Sequence, residues 1–251
     1  MITLLTCVLL ASGAAWAERA TPEEVKPDLG DPAVRLATQL QVLRGLIDAG
    51  LLDQALDVAR SLREEGVDEP ELDLLQARAL NLKGQRSEAI RLLEGLIDRR
   101  PRQGDAWALL GVVYADAGRA KDGVKALEKA VTIRKDDADV WNNLGYLYMA
   151  TGRNDDAVDA LERAVTLDPT SRRARNNLGF ALARLERDMD ALEAFRGAGS
   201  EADARYNLGV ACELRRDTAS ALNQYRAALQ AEPGYTRARE ALDRLLPKES
   251  P

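Results

Sequence analysis

Apolar and polar residues follow a helical spacing along most of this chain, and the segment 236–246 shows the pattern plainly. Its apolar residues fall three and four positions apart, so they lie on one face of a helix, while charged residues occupy the other face. The residues of the apolar face are Ala238, Ala241, Leu242 and Leu245. The pattern predicts an amphipathic helix that buries one side and ends before Pro247.

The composition supports the same prediction for the whole chain of 251 residues. Hydrophobic residues make up 46% of the sequence, but only 4% are aromatic, and Ala and Leu supply most of the apolar positions. Alanine and straight-chain residues lose little conformational freedom in a helix. We therefore expect an all-α fold with an Ala/Leu core rather than a β-sandwich.

A 34-residue period organises the sequence. Trp107 and Trp141 are 34 residues apart, and each is followed at the same offsets by Leu, Gly and Tyr. Four glycines keep the same period: Gly50, Gly84, Gly118 and Gly152. The motif W-x2-L-G-x2-Y, followed by Ala and Pro at fixed offsets, resembles the tetratricopeptide repeat (TPR) family. The segment 138–171 carries the fullest match.

The resemblance implies an α-α superhelical solenoid of about six helix-turn-helix repeats with a C-terminal capping helix at 236–246. Each repeat pairs two antiparallel helices, and the glycine at its fifteenth position ends the first helix in a left-handed conformation. The first two repeats depart from the family pattern, because Leu43 and Ala77 replace a helix-packing glycine. The fifth repeat is short and predicts an irregularity near 197–199. The repeats are 36–69, 70–103, 104–137, 138–171, 172–201 and 202–235 within a repeat domain at 32–246.

The N-terminal residues differ from the rest. Residues 1–17 are almost free of charge and end in Ala-Trp-Ala, the form of a signal-peptidase site, so we expect a cleaved signal peptide and an exported protein, periplasmic or envelope-associated. An uncleaved membrane anchor and a lipid on Cys7 remain alternatives. Residues 18–31 form a flexible linker rich in proline and acids, Asp31 caps a helix that begins at Pro32, and 247–251 form a short tail.

Several classes of function are disfavoured by what the sequence lacks. There is no histidine, which excludes His-based catalysis and most zinc sites, so we expect neither metal nor cofactor. The net charge of −6 disfavours nucleic acid as a partner. Cys212 lies at a packing position, which predicts a buried, unreactive thiol. A carboxylate-based hydrolase is the weakest alternative, because Asp105, Asp139 and Asp203 lie one or more repeats apart.

In the family that the chain resembles, the first helix of each repeat lines the concave surface, chiefly through positions 2, 5, 6, 9, 12 and 13. Asparagine recurs there although it is a mediocre helix former. The candidate residues for a peptide-binding groove are Asn142, Asn143, Tyr146, Met149, Arg173, Asn176, Asn177, Phe180, Arg184, Asp203, Tyr206 and Asn207.

Two interpretations of the asparagines stay open. Asn143, Asn177 and Asn207 could form a ladder that pairs with the backbone of an extended peptide, while apolar neighbours form pockets for its side chains. Alternatively, these amides bond within the superhelix. Arg173 and Arg184 add a basic stretch that would suit an acidic partner, or they belong to an ordinary solvated face.

The sequence therefore predicts a non-enzymatic scaffold or adaptor that binds an extended peptide or a helix of another protein. The leader suggests a role in envelope assembly, such as pilus, secretion or outer-membrane machinery. A self-associating or tethering envelope protein is the alternative. The partner, the pathway and the oligomeric state are not specified by the sequence.

Overall fold

The computed structural model describes residues 31–246. The predicted signal peptide at 1–17, all but the last residue of the predicted linker at 18–31, and the tail at 247–251 lie outside the described residues. None of the helices within 31–246 combines the length and the apolar character needed to cross a bilayer.

Residues 31–246 form thirteen α-helices, joined by short turns. Their bounds are α1 Pro32–Asp48, α2 Leu52–Glu64, α3 Pro70–Leu82, α4 Arg86–Arg99, α5 Gly104–Asp116, α6 Ala120–Ile133, α7 Ala138–Ala150, α8 Asn154–Leu167, α9 Arg172–Arg184, α10 Asp188–Arg196, α11 Glu201–Leu214, α12 Thr218–Ala231 and α13 Thr236–Leu245.

The described residues divide between two units, one that includes 31–39 and one that includes 40–246. In the first unit, the backbone N–H of Ala33 donates to Oδ1 of Asp31 at 2.9 Å. Pro32 follows Asp31 at the first helical position, where its missing N–H costs nothing. The predicted cap at the start of this helix is confirmed.

The second unit is the α-α superhelical solenoid that the sequence predicts. From α2 to α13, successive helices pack side by side, and the odd-numbered helices α3, α5, α7, α9 and α11 also contact one another in series. Neither helix of a pair could bury its apolar face alone, so the stacking of neighbours builds a continuous core. The capping helix α13 closes the array by packing on α12.

Local sequence signals explain where several helices begin. Pro70 is the first residue of α3, where its fixed φ suits a helix. Oδ1 of Asp137 accepts the N–H of Asp139 at 2.9 Å at the start of α7. Ser200 and Asp203 form a reciprocal capping box at the start of α11.

The turn between the two helices of a repeat is left-handed, as predicted. Gly50, Gly84, Gly118 and Gly152 all have positive φ, between 74° and 85°. The fifth and sixth repeats have no glycine at this place, and Glu186 and Arg216 adopt φ values of 59° and 64°. Residues with a Cβ are strained in this conformation.

The fifth repeat is irregular. Its second helix, α10, has 9 residues, whereas α8 and α12 have 14. The chain then turns through Gly197 and Gly199, and the Nε of Arg172 donates to the carbonyl of Ala198. The shorter helix brings α11 into the stack earlier than the 34-residue period would.

The repeats are joined by polar contacts at equivalent positions. The indole Nε1 of Trp107 donates to the carbonyl of Pro101 at 2.9 Å, and that of Trp141 donates to Lys135 at the same distance. In the next repeat Arg175 takes the place of tryptophan, and its Nε donates to the carbonyl of Pro169 at 3.0 Å. These side chains tie α5, α7 and α9 to the loop that precedes each of them.

Candidate functional site

The candidate site is a cavity of about 700 Å³ on the face formed by the first helices of the last three repeats, which we call the concave groove. Helices α7, α9 and α11 supply most of its lining, and α8 adds its first residue. The lining residues are Tyr146, Met149, Ala150, Asn154, Asn177, Phe180, Arg184, Val210, Ala211, Leu214 and Arg215.

Five residues predicted from the sequence line this groove: Tyr146, Met149, Asn177, Phe180 and Arg184. The prediction missed Leu214, Arg215 and Asn154 as site residues. The repeat register contains the signal for Leu214, because it stands at position 13 of its repeat, where Arg184 stands in the repeat before.

Apolar side chains dominate the middle of the concave groove. Tyr146 is 56% exposed and Leu214 is 72% exposed, and both lie at the same cavity. Phe180 is half-buried and held from below by Phe195, with ring centroids 5.0 Å apart in an edge-to-face contact. The floor is therefore fixed, while the rim presents apolar surface to water.

Two arginines join the helices at the edge of the concave groove. A guanidinium N–H of Arg184 donates to the carbonyl of Met149, at the end of α7. Arg215 donates in the same way to Ala183 at the end of α9, and it also forms a two-pronged ion pair with Asp188 at 2.7 and 2.8 Å. Positive charge beside the carboxyl end of a helix stabilises the exposed carbonyls there.

The two arginines differ in how much of the guanidinium group remains available to a ligand. Both ends of the Arg215 guanidinium contact Asp188. Arg184 is exposed, and within residues 31–246 no carboxylate lies within ion-pair distance of it. None of the groove-lining residues between 31 and 246 is acidic. The concave groove thus combines an apolar centre with one arginine available to an anion.

The asparagines pair with each other between repeats. Nδ2 of Asn177 donates to Oδ1 of Asn142 at 2.8 Å, and Nδ2 of Asn207 donates to Oδ1 of Asn176 at 3.1 Å. For these residues the structure shows the second interpretation, bonding within the superhelix. Asn142 is only 3% exposed, so its inclusion among the groove contacts is wrong: its amide is used in packing.

Asn143 differs from the other two asparagines at position 6. The residue that would accept its amide is position 5 of the preceding repeat, which is Ala108. An alanine side chain offers no acceptor. Nδ2 of Asn142 approaches Oδ1 of Asn143 at 3.4 Å, a weak contact.

Other predicted site residues lie outside the lining of the concave groove. Arg173 forms an ion pair with Asp139 of the preceding repeat at 2.5 Å. Asp203 accepts a hydrogen bond from the hydroxyl of Tyr235 at 2.7 Å. The guanidinium of Arg237 covers the ring of Tyr206 at 4.3 Å, and both Asp203 and Tyr206 thereby contact the start of the capping helix.

Three sequence profiles of the tetratricopeptide repeat family match the chain, over residues 138–171, 80–145 and 190–236. Together they cover more than half of it. The chain belongs to the TPR proteins. No curated protein sequence matches it.

Solved TPR structures share this fold. The TPR protein YrrB, described as having an unusual peptide-binding site, superposes with a TM-score of 0.57 at 23% identity, over 73% of this chain and 96% of YrrB. MamA from Desulfovibrio magneticus RS-1 gives 0.57 at 22% identity, over 75% and 97%. PilF of Pseudomonas aeruginosa gives 0.63 at 15% identity, over 83% and 96%. At these identities the likeness concerns the fold alone.

The first TPR repeats carry a different concave surface. Arg44 pairs with Glu71, and Arg78 pairs with Asp48 at 3.0 Å. Each pair joins the first helices of neighbouring repeats. A second cavity, of about 610 Å³, lies there, and its lining mixes acids and bases: Arg44, Glu69, Pro70, Glu71, Leu74, Leu75, Arg78, Gln103, Asp105 and Leu109.

The remaining candidates for chemistry belong to the packing of the TPR stack. Cys212 is 1% exposed, which confirms the predicted burial, and this burial raises the pKa of its thiol. Within residues 31–246 no three potential metal ligands come together. Asp139 and Asp203, considered above for hydrolysis, are engaged by Arg173 and Tyr235.

Proposed function

We propose that this TPR protein is a non-enzymatic scaffold whose concave groove binds a segment of a partner protein. The observation that carries the proposal is the exposure of Tyr146 and Leu214, 56% and 72%, at a cavity of about 700 Å³. Exposed apolar side chains around a concavity favour association, because covering them removes apolar surface from water. The chemistry of the lining suits binding rather than a reaction.

The partner segment is proposed to be acidic as well as apolar. Arg184 faces the concave groove without a carboxylate partner among residues 31–246, and the segment 172–251 carries 14 basic and 12 acidic residues in a chain that is acidic overall. An acid on the partner would complete a charge-assisted hydrogen bond with the guanidinium. YrrB, a protein of the same fold, is described as having a peptide-binding site, which supports the binding of a peptide segment but not its charge.

The experiment that tests the proposal compares two leucines at the same register position. Leu214 lies in the concave groove, and Leu82 is position 13 of the second repeat, 56% exposed beside ion-paired residues. Both Leu214→Glu and Leu82→Glu should fold normally, which circular dichroism and thermal melting would check. Cross-linking pull-down from the native host should lose its captured protein with Leu214→Glu only. Equal capture by both variants would contradict the proposal.

We also propose that the chain is exported and acts in an assembly of the cell envelope, such as pilus, secretion or outer-membrane machinery. The support is the apolar leader at 1–17 with its Ala-Trp-Ala end. Mass spectrometry of the protein from fractionated cells should find a first residue of Glu18 in the envelope or periplasmic fraction. A cytoplasmic protein that begins at Met1 would contradict export.

A further inference from the structure

We infer that the segment bound in the concave groove is an amphipathic α-helix that carries a carboxylate beside its apolar stripe, rather than an extended peptide. This inference rests on the proposed function and makes it narrower. It follows from three properties of the groove: the hydrogen bonds already made by its amides, the layout of its apolar side chains, and the one arginine that remains available.

The asparagine donors between the first helices are committed to the TPR stack. The other lining amide, Asn154 at the start of α8, offers one buried oxygen without a hydrogen-bond partner within residues 31–246, rather than a row of groups along the groove. An extended peptide leaves its backbone N–H and C=O groups unpaired, so a groove that binds one must supply partners along its length. Here Nδ2 of Asn177 donates a hydrogen bond to Oδ1 of Asn142, and Nδ2 of Asn207 donates one to Oδ1 of Asn176. The guanidinium of Arg215 is taken by Asp188 and Ala183.

A helix does not need those partners. Its backbone groups bond to one another, and it binds a groove through an apolar stripe with anchors at spacings of three and four residues. The apolar residues of the concave groove come from three parallel rows: Tyr146 on α7, Phe180 on α9, and Val210 with Leu214 on α11. Together they present a broad apolar strip, and a strip can cover the apolar stripe of a helix, whereas a single pocket would hold only one side chain.

The charge of the groove determines which charged residue can lie beside the apolar stripe of the bound helix. Within residues 31–246 the guanidinium of Arg184 donates one hydrogen bond, to the carbonyl of Met149. A guanidinium has five N–H donors, so most remain available. Because no groove-lining residue in this range is acidic, a lysine or arginine on the partner would find no counter-charge there. A glutamate or aspartate one turn from an apolar anchor completes the site.

The inference can be tested with an unbiased library of 16-residue peptides displayed on phage and selected on the full chain. Counter-selection against the Leu214→Glu variant removes peptides that bind elsewhere, and Leu82→Glu serves as the control that should retain every groove binder. The enriched peptide is then synthesised with a fluorescent label, and its dissociation constants are measured by anisotropy.

We expect enriched peptides to carry large apolar residues at spacings of three and four, with an acid beside them, and to become helical on binding. A proline in the middle of such a peptide should weaken binding about 100-fold, because proline lowers the equilibrium constant for helix formation by about that factor. Replacing the acid by its amide should weaken binding about fivefold to wild type but should have no effect on the Arg184→Gln variant.

Three results would contradict the account at distinct points. Groove-dependent peptides with apolar residues at every second position, or peptides that tolerate the proline, would overturn the helix and leave the binding groove intact. Equal loss from acid-to-amide replacement with wild type and with Arg184→Gln would remove Arg184 as the contact. If counter-selection against Leu214→Glu removed every peptide that binds wild type, the proposed function itself would be wrong.

Discussion

The first two and the last three TPR repeats place different chemistry at the same register positions of their first helices. Position 9 is Arg44 and Arg78 in the first two repeats, and both arginines form ion pairs with the neighbouring repeat. The same position holds apolar side chains in the last three repeats: Tyr146, Phe180 and Val210. At the N-terminal end of the concave surface, charged side chains pair with each other, while the C-terminal end exposes apolar side chains.

In a repeat fold, the side chains at one register position can therefore limit a binding site to part of the array, while the backbone of the repeats stays the same. A concave surface exists along the whole array, but in the first two repeats the arginines at position 9 are already paired with carboxylates of the neighbouring repeat. Where position 9 becomes apolar and Arg184 lacks a carboxylate within residues 31–246, both driving forces are present.

The largest effect on stability should come from the close helix contact in the C-terminal repeats. A Cβ added at Gly145 would lie 2.5 Å from Cγ of Leu161, so Gly145→Ala should destabilise the fold by about 2 kcal/mol through overpacking. In the first repeat, a Cβ at Gly45 would meet nothing within 4 Å. Gly45→Ala should therefore stabilise the protein by about 0.5–1 kcal/mol through helix propensity. Urea unfolding measures both, and equal destabilisation would contradict this contrast.

The asparagine pairs should contribute the next largest effect. Asn177→Ala leaves Oδ1 of the buried Asn142 without its donor, so we expect a loss of about 1–2 kcal/mol in the free energy of unfolding. Asn143→Ala is the matched control, because Ala108 gives it no partner across the repeat, and it should change stability by less than about 0.5 kcal/mol. If the two variants lost the same stability, inter-repeat pairing would not be the cause.

The left-handed turns are relaxed in the first four repeats, which have glycine there, and strained in the last two, which have Glu186 and Arg216. Glu186 has a positive φ where the first four repeats have glycine. Glu186→Gly should stabilise the protein by about 1 kcal/mol, because glycine adopts this conformation without a Cβ clash. Gly118→Ala, which places a Cβ in the same conformation, should destabilise it by a similar amount. Thermal melting of both variants checks the sign.

Much of the fold and part of the candidate site could be predicted from the sequence. The glycine period placed four left-handed turns, and the motif register placed Tyr146, Phe180 and Arg184 on the concave face. The direction of the asparagine amides could not be read from one repeat, because it depends on whether position 5 of the preceding repeat offers an acceptor. The contacts of Asp203 and Tyr206 could not be read from the register either, because at the end of the array the capping segment reaches these two positions.

A pH titration extends the comparison to the packing between repeats. Burial, and then the hydrogen bond that its hydroxyl donates to Glu128 at 2.9 Å, raise the pKa of Tyr148 to about 12. Ionised Tyr148 cannot donate, so this contact stabilises the fold below pH 10 and is lost as the pH rises through about 12. Ultraviolet titration of wild type and Tyr148→Phe should show one late-titrating phenol missing in the variant. No difference between the two curves above pH 10 would contradict the assignment.

The smallest effect should come from the ion pairs of the first repeats. The side chains of Arg78 and Asp48 are about half exposed, so Arg78→Ala should cost less than about 1 kcal/mol. Raising the salt concentration should reduce the difference from wild type, because salt screens exposed charges. A loss that is large and independent of salt would mean that this face is held by packing instead.

The most direct test of the binding groove is site-specific photo-cross-linking in the native host. A photoreactive amino acid is placed at Leu214 in one strain and at Leu82 in another, two exposed positions with the same place in their repeats. The account predicts a covalent adduct with a partner protein from position 214 and none from position 82. Adducts from position 82 alone, or equal adducts from both, would contradict the claim that the C-terminal concave groove is the binding surface.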